Sequence, residues 1–156
     1  MFKLPQRRLG AAVAVALAMA VAVPAAIAAE SVPVSGTFHE HSFHVLDQHT
    51  EGDDTVITRS LKVKFKGDFA GKGEAVEQVT LHPDGTGEVT GTIHFDGCVT
   101  DRCGTAELAF EGTLPNPEVA NGTFTVVGGT GELAGMQGEG EFQNAPDGTY
   151  TGTVQF

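Results

Sequence analysis

From Val34 to Phe156, apolar residues recur at every second position in short runs, and the runs end at glycines or at Pro-Asp-Gly turns. No stretch of useful length in this region keeps a helical period. Alternation at period two puts one set of side chains on each face of a strand, so the pattern predicts an all-β chain. Eight strands are expected, at about 34–49, 55–66, 72–82, 87–97, 104–114, 121–128, 136–143 and 148–156. Eight antiparallel strands are enough to close a barrel with room for side chains or one small ligand.

Residues opposite each other on paired strands face the same way, so the pairings can be tested against one another. A hairpin centred on Asp68 sets Leu61 against Ala75 and Val63 against Gly73. The next, centred near Gly85, sets Leu81 against Val89 and Val79 against Gly91. A third, centred between Thr100 and Asp101, sets Ile93 against Leu108, Phe95 against Ala106 and Cys98 against Cys103. Phe110 then faces Phe124, Leu108 faces Val126, Phe142 faces Tyr150 and Met136 faces Phe156. One apolar face thus runs through seven strands. The first strand joins less simply: Phe43 and Val45 point one way, Phe38, His44 and Leu46 the other, and a bulge is expected between them.

Residues 1–28 have the make-up of a signal peptide: Lys3, Arg7 and Arg8, then an apolar run from Leu9 to Val23, then Ala26-Ile27-Ala28. That run is short for a membrane span, and no cysteine follows it to carry a lipid anchor. Cleavage is expected near Ala28 or Ala29. The Arg7-Arg8 pair is compatible with either Sec or twin-arginine export. Residues 29–156 are then one exported domain, secreted or periplasmic. They hold all twenty acids and six of the nine basic residues, a net charge of −14. Such a surface repels nucleic acid and anionic lipid, and no membrane contact is expected after cleavage. In an oxidising compartment Cys98 and Cys103 are expected to form a disulfide, a local staple of about 2 kcal/mol.

Two ionisable residues interrupt the apolar face. Arg59 lies between Ile57 and Leu61, Glu77 lies between Ala75 and Val79, and the Asp68-centred register places them opposite each other. They read either as an internal ion pair or as the polar contact of a ligand inside the barrel. Gly91, Gly112, Gly122, Gly138, Gly140 and Gly152 also fall on the inward face. They serve either to bend the strands or to leave a cavity lined by Phe110, Phe124, Phe142, Tyr150 and Phe156.

His39 and His41 project two imidazoles on one face, a weak metal half-site with no third ligand in sight. No metal or other cofactor is expected. His94 pairs with Glu107 on the outer face, and His82 only precedes a turn. The glycines at 128–135 imitate a dinucleotide fingerprint, but too little chain follows for the helix and parallel strand that motif requires. No nucleophile elbow or Ser/His/Asp set is present.

Val126-Val127-Gly128-Gly129-Thr130-Gly131-Glu132-Leu133-Ala134-Gly135 resembles the late signature of plant dirigent proteins and allene oxide cyclases. A closer resemblance, over most of residues 29–156, is to an uncharacterised bacterial family with the same barrel. It rests on Gly36-Thr37-Phe38, Phe65-x-Gly67-Asp68-Phe69, Pro83-Asp84-Gly85, Phe110-Glu111-Gly112-Thr113 and Gly122-Thr123-Phe124. The resemblance implies an eight-stranded, calycin-like barrel of the allene oxide cyclase type. The Cys98–Cys103 segment departs from the usual pattern, and a shared barrel does not transfer a reaction.

The leading expectation is a non-enzymatic binder of a small, largely apolar molecule, with Arg59 and Glu77 as polar contact and Phe110, Phe124, Phe142 and Tyr150 around it. The alternatives are a cyclase or isomerase using Glu77, Arg59 or Tyr150, and a filled barrel acting through its acidic surface.

Overall fold

β-branched and aromatic side chains alternating with polar ones form eight strands in the computed structural model, which describes residues 29–145 and 147–156. The expected signal peptide, 1–28, lies outside them. The strands are β1 (Val32–Glu51), β2 (Asp54–Gly67), β3 (Phe69–Leu81), β4 (Gly87–Val99), β5 (Arg102–Asn116), β6 (Val119–Gly131), β7 (Gln137–Gln143) and β8 (Gly148–Gln155). Each pairs antiparallel with its neighbours in sequence, and β8 returns to β1 to close the barrel.

Most of the expected registers are observed. Leu61 faces Ala75, Val63 faces Gly73 and Arg59 faces Glu77. Ile93 faces Leu108, Phe95 faces Ala106, and Cys98 faces Cys103, to which it is bonded. Phe110 faces Phe124, and Phe142 faces Tyr150.

One register differs. Val79 pairs with Val89 and Leu81 with Gly87, two residues away from the Gly85-centred register. The loop holds three residues, Pro83-Asp84-Gly85, with the His82 N–H donating to the Thr86 carbonyl at 2.8 Å. Gly85 takes the left-handed position at φ 86° that such loops require, and Asp84 Oδ1 accepts the Thr86 N–H at 2.9 Å. A shift of two leaves every side chain on its expected face. Met136 and Phe156 follow directly on the last β7–β8 pair, Gln137 with Gln155, in the expected register, and the Met136 N–H donates to the Leu133 carbonyl in a turn. The bulge expected in β1 is present as two irregularities, between His41 and Phe43 and between Val45 and Asp47, with Ser42 at φ 51°. The first of them returns Phe43 to the side of Leu61, the face Phe38 shares with Phe65.

The two ends of the barrel are built differently. At one end Phe69, Phe95, Val99, Leu133, Met136 and Val154 are almost wholly buried and form a plug. Phe69 meets Phe95 and Tyr150 edge-on, with ring centroids 5.3 and 5.5 Å apart. The β2–β3 turn is stitched to this end. Asp68 accepts the Ser35 N–H on its carboxylate at 2.7 Å, and its carbonyl accepts the Thr100 N–H, also at 2.7 Å. Gly36 is fixed by this packing, since a Cβ there would stand 2.3 Å from the Tyr150 hydroxyl oxygen. At the other end a smaller apolar collar of Val79, Val89, Leu114 and Ala120 packs with Phe110 and Phe142.

Candidate functional site

Between plug and collar lies a cavity of about 90 Å³. Phe65, Phe69, Phe124 and Tyr150 form its floor, Phe110 and Phe142 stand in its wall, and Glu40, Arg59 and Glu77 give it one polar side. Those three come from adjacent strands. Arg59 and Glu77 are cross-strand partners on β2 and β3, and Glu40 on β1 pairs with inward-facing Val63. β1 meets β8 only as far as Phe38; from His39 onward it pairs with β2 alone, so the mouth opens beside Glu40.

Arg59 Nε–H donates to Glu77 Oε1 at 2.5 Å. Glu77 is 5% exposed and Arg59 34%, so the carboxylate is the buried partner and the guanidinium reaches towards the mouth. The Arg59 guanidinium carbon also lies 5.7 Å from the Phe43 ring centroid. A carboxylate this deep is kept by its partner, because an isolated charge there would be strongly disfavoured. Glu40 remains open to solvent, yet the crowded wall removes part of its hydration. That burial, and next the Glu77 carboxylate, push the Glu40 carboxyl above its ordinary value, while Arg59 and His39 pull it back.

Phe110, Phe124, Phe142 and Tyr150 all line the cavity. The Tyr150 hydroxyl, however, turns away into the β2–β3 turn. It accepts the Phe69 N–H at 2.8 Å and lies 3.3 Å from the Lys66 carbonyl, to which it can donate. Burial chiefly pushes the phenol up. Its hydroxyl is thereby committed to the fold, and its ring alone belongs to the cavity. Phe156 does not line the cavity; it packs on the plug with Arg102 4.3 Å above its ring. None of the six inward glycines lines it either. A Cβ at Gly91 would stand 2.6 Å from a Phe110 ring carbon, and one at Gly140 2.5 Å from Phe124. At these two positions an aromatic ring occupies the space the glycine leaves, and at Gly112, Gly122, Gly138 and Gly152 a Cβ would stand 2.0–2.6 Å from a backbone carbonyl oxygen of the facing strand, so the glycines allow close packing rather than create the void.

His39 and His41 stack in parallel, 6.5 Å apart, on the stretch of β1 opposite Lys64 and Lys62. Among the described residues no group of three His, Cys, Asp or Glu stands close enough to hold a metal ion. His94 pairs with Glu107 as expected. His82 does more than precede a turn: Nδ1 meets Asp54 at 2.9 Å and Nε2 meets Glu88 at 3.2 Å, joining the rims of β2, β3 and β4. Both carboxylates raise its pKa, Asp54 most. Glu40 and this clasp were both missed by parity, because one lies beside a bulge and the other needs three strand ends brought together.

Fold and site together define a small antiparallel barrel, plugged at one end and open at the other to an apolar cavity with an ion pair in its wall. The chain belongs to the DUF3224 family, described as proteins of unknown function, whose pattern matches residues 34–156. A crystal structure of a DUF3224 protein of unknown function from Shewanella oneidensis MR-1 is similar with a TM-score of 0.70 and 18% identity, covering 81% of this chain and 98% of that one. A pyocyanin demethylase (TM-score 0.49, 21% identity, 80% and 100% covered) and the pterocarpan synthase dirigent protein GePTS1 (0.48, 15%, 89% and 96%) are more distant in shape. No curated protein matches the chain in sequence. Among the described residues no helix is long and apolar enough to cross a membrane.

Proposed function

We propose that the protein is an exported, non-enzymatic binder of a small, largely apolar molecule, held in the barrel with the Arg59–Glu77 pair as its polar contact. The observation that carries this reading is the cavity itself. Its floor and wall are mostly aromatic and aliphatic, and a few polar groups converge on one side, the usual composition of a small-molecule site. At about 90 Å³ it falls below the roughly 300–1,000 Å³ of sites for drug-sized ligands, so one ring or a short branched chain enters while the remainder stays in the mouth. The leader-like residues 1–28 and the Cys98–Cys103 bond support an oxidising destination, secreted or periplasmic.

Native mass spectrometry of the protein purified from its exported fraction tests the reading, together with titration of a fluorescent apolar probe. The expected result is a retained organic mass or a saturable probe signal, either of them lost in Ala120→Phe, which puts a ring into the cavity. A bare ion and no saturable probe binding in the folded wild type would reject it in favour of a filled barrel.

A further inference from the structure

The cavity has a charge imbalance at its mouth. Arg59 is held by Glu77, whereas Glu40 lines the same cavity and has no ion-pair partner within 4.0 Å among the described residues. The groups acting on Glu40 are Arg59 on β2, Glu77 on β3 and His39 beside it on β1. With Arg59 and Glu77 cancelling, the mouth carries one surplus negative charge. It is part of a net charge of −14 over residues 29–156, a field that draws cations and slows anions. Aromatic faces stand close by: Phe38 and Phe142 both line the cavity and meet edge-on at 6.3 Å. Carboxylate plus aromatic faces is a combination that recognises organic ammonium groups.

We infer that the cavity selects a monocation, a small amine or quaternary ammonium whose apolar body enters the barrel and whose charged head stops beside Glu40. This rests on the barrel being a small-molecule binder, as proposed above. Arg59 does not recruit an anion in the same way. Its Nε is engaged, its guanidinium carbon lies over the Phe43 ring, and an incoming carboxylate would meet both Glu40 and Glu77. Protons compete with the ligand for Glu40. The cation favours the ionised carboxylate, so its affinity falls as pH drops through the raised Glu40 value, while a neutral ligand is indifferent to that titration.

Benzyltrimethylammonium, charged at every pH, and its uncharged isostere neopentylbenzene separate charge from shape. Both are titrated into the exported protein at pH 7.5 and at pH 4.5, beside the anion 4-tert-butylbenzoate. The cation is expected to bind about tenfold or more tighter than the isostere at pH 7.5, from one Coulombic partner and the ring faces. That ratio should shrink at pH 4.5, and in a folded Glu40→Gln variant the cation should drop to the affinity of the isostere. Equal binding of cation and isostere, or tighter binding of the anion, overturns the charge selection and leaves the binder reading standing. If none of the three binds while the fluorescent probe does, the inference also fails. If the probe fails too, the binder reading fails with it.

Discussion

Replacing Arg59 by leucine removes the partner of a carboxylate that is only 5% exposed. Breaking a fully buried pair costs about 3–5 kcal/mol, whereas exposed pairs contribute about 0–1 kcal/mol. Arg59 keeps a third of its surface in water, so its loss should fall between these limits, at about 2–3 kcal/mol near pH 7. For a domain of this size that corresponds to a fall in Tm of roughly 8–12 °C. The penalty comes from the orphaned Glu77 charge, and it should shrink when that charge is deleted: Arg59→Leu with Glu77→Leu should return to within about 1 kcal/mol of the wild type, since an apolar pair can replace a buried ionic one. Urea melts of wild type, both single variants and the double variant complete the cycle. An Arg59→Leu penalty below about 0.5 kcal/mol, or a double variant worse than the sum of the singles, would refute the assignment of a buried, mutually dependent pair.

Three further outcomes are expected. Tyr150→Phe should cost about 1–3 kcal/mol in urea melts, because it leaves the buried Phe69 N–H without its acceptor at the plugged end. Serine at both Cys98 and Cys103 should lower stability by about 2 kcal/mol and leave the circular-dichroism spectrum of the barrel intact, because the bond closes a short loop. The His82 clasp should make stability pH-dependent. Its folded-state pKa is raised, so its contribution is fully present below the ordinary histidine value near 6.5 and is lost as pH rises through the folded value. His82→Asn should remove that part of the decline between pH 6 and pH 9, measured by thermal melts; a decline equal to the wild type's would assign it to His49 or His94, whose pKa values are also raised.

Parity carried the reading of the sequence furthest where hairpins are regular. Arg59 and Glu77 could be paired from numbers alone because the Asp68 turn has no bulge to disturb the count. It placed the Pro83-Asp84-Gly85 hairpin on the correct faces but two residues out of register, since alternation cannot distinguish shifts of two. It lost Glu40 altogether. Ser42 adopts a left-handed backbone at φ 51°, a conformation serine rarely signals, so the inward face of β1 could not be followed across it. The glycines were ambiguous for another reason. Only the positions of the Phe110 and Phe124 rings reveal whether an absent side chain leaves a void or room for a neighbour. The Tyr150 ring was legible as a cavity residue; its hydroxyl was not, because its partner Phe69 is 81 residues away in sequence.

The ring closes through the pairing of Val32 with Val154, the most distant contact the topology contains. Every other strand pair is a hairpin that can form from nearby chain, but this last one must wait until β8 is free. Loop closure of that length is slow compared with hairpin formation. Without β8 the first seven strands would leave an open sheet with two bare edges, β1 on one side and β7 on the other. Closure of the barrel therefore depends on the C-terminal strand. A chain ending at residue 147 should persist as an edge-exposed, association-prone sheet rather than as a slightly smaller barrel.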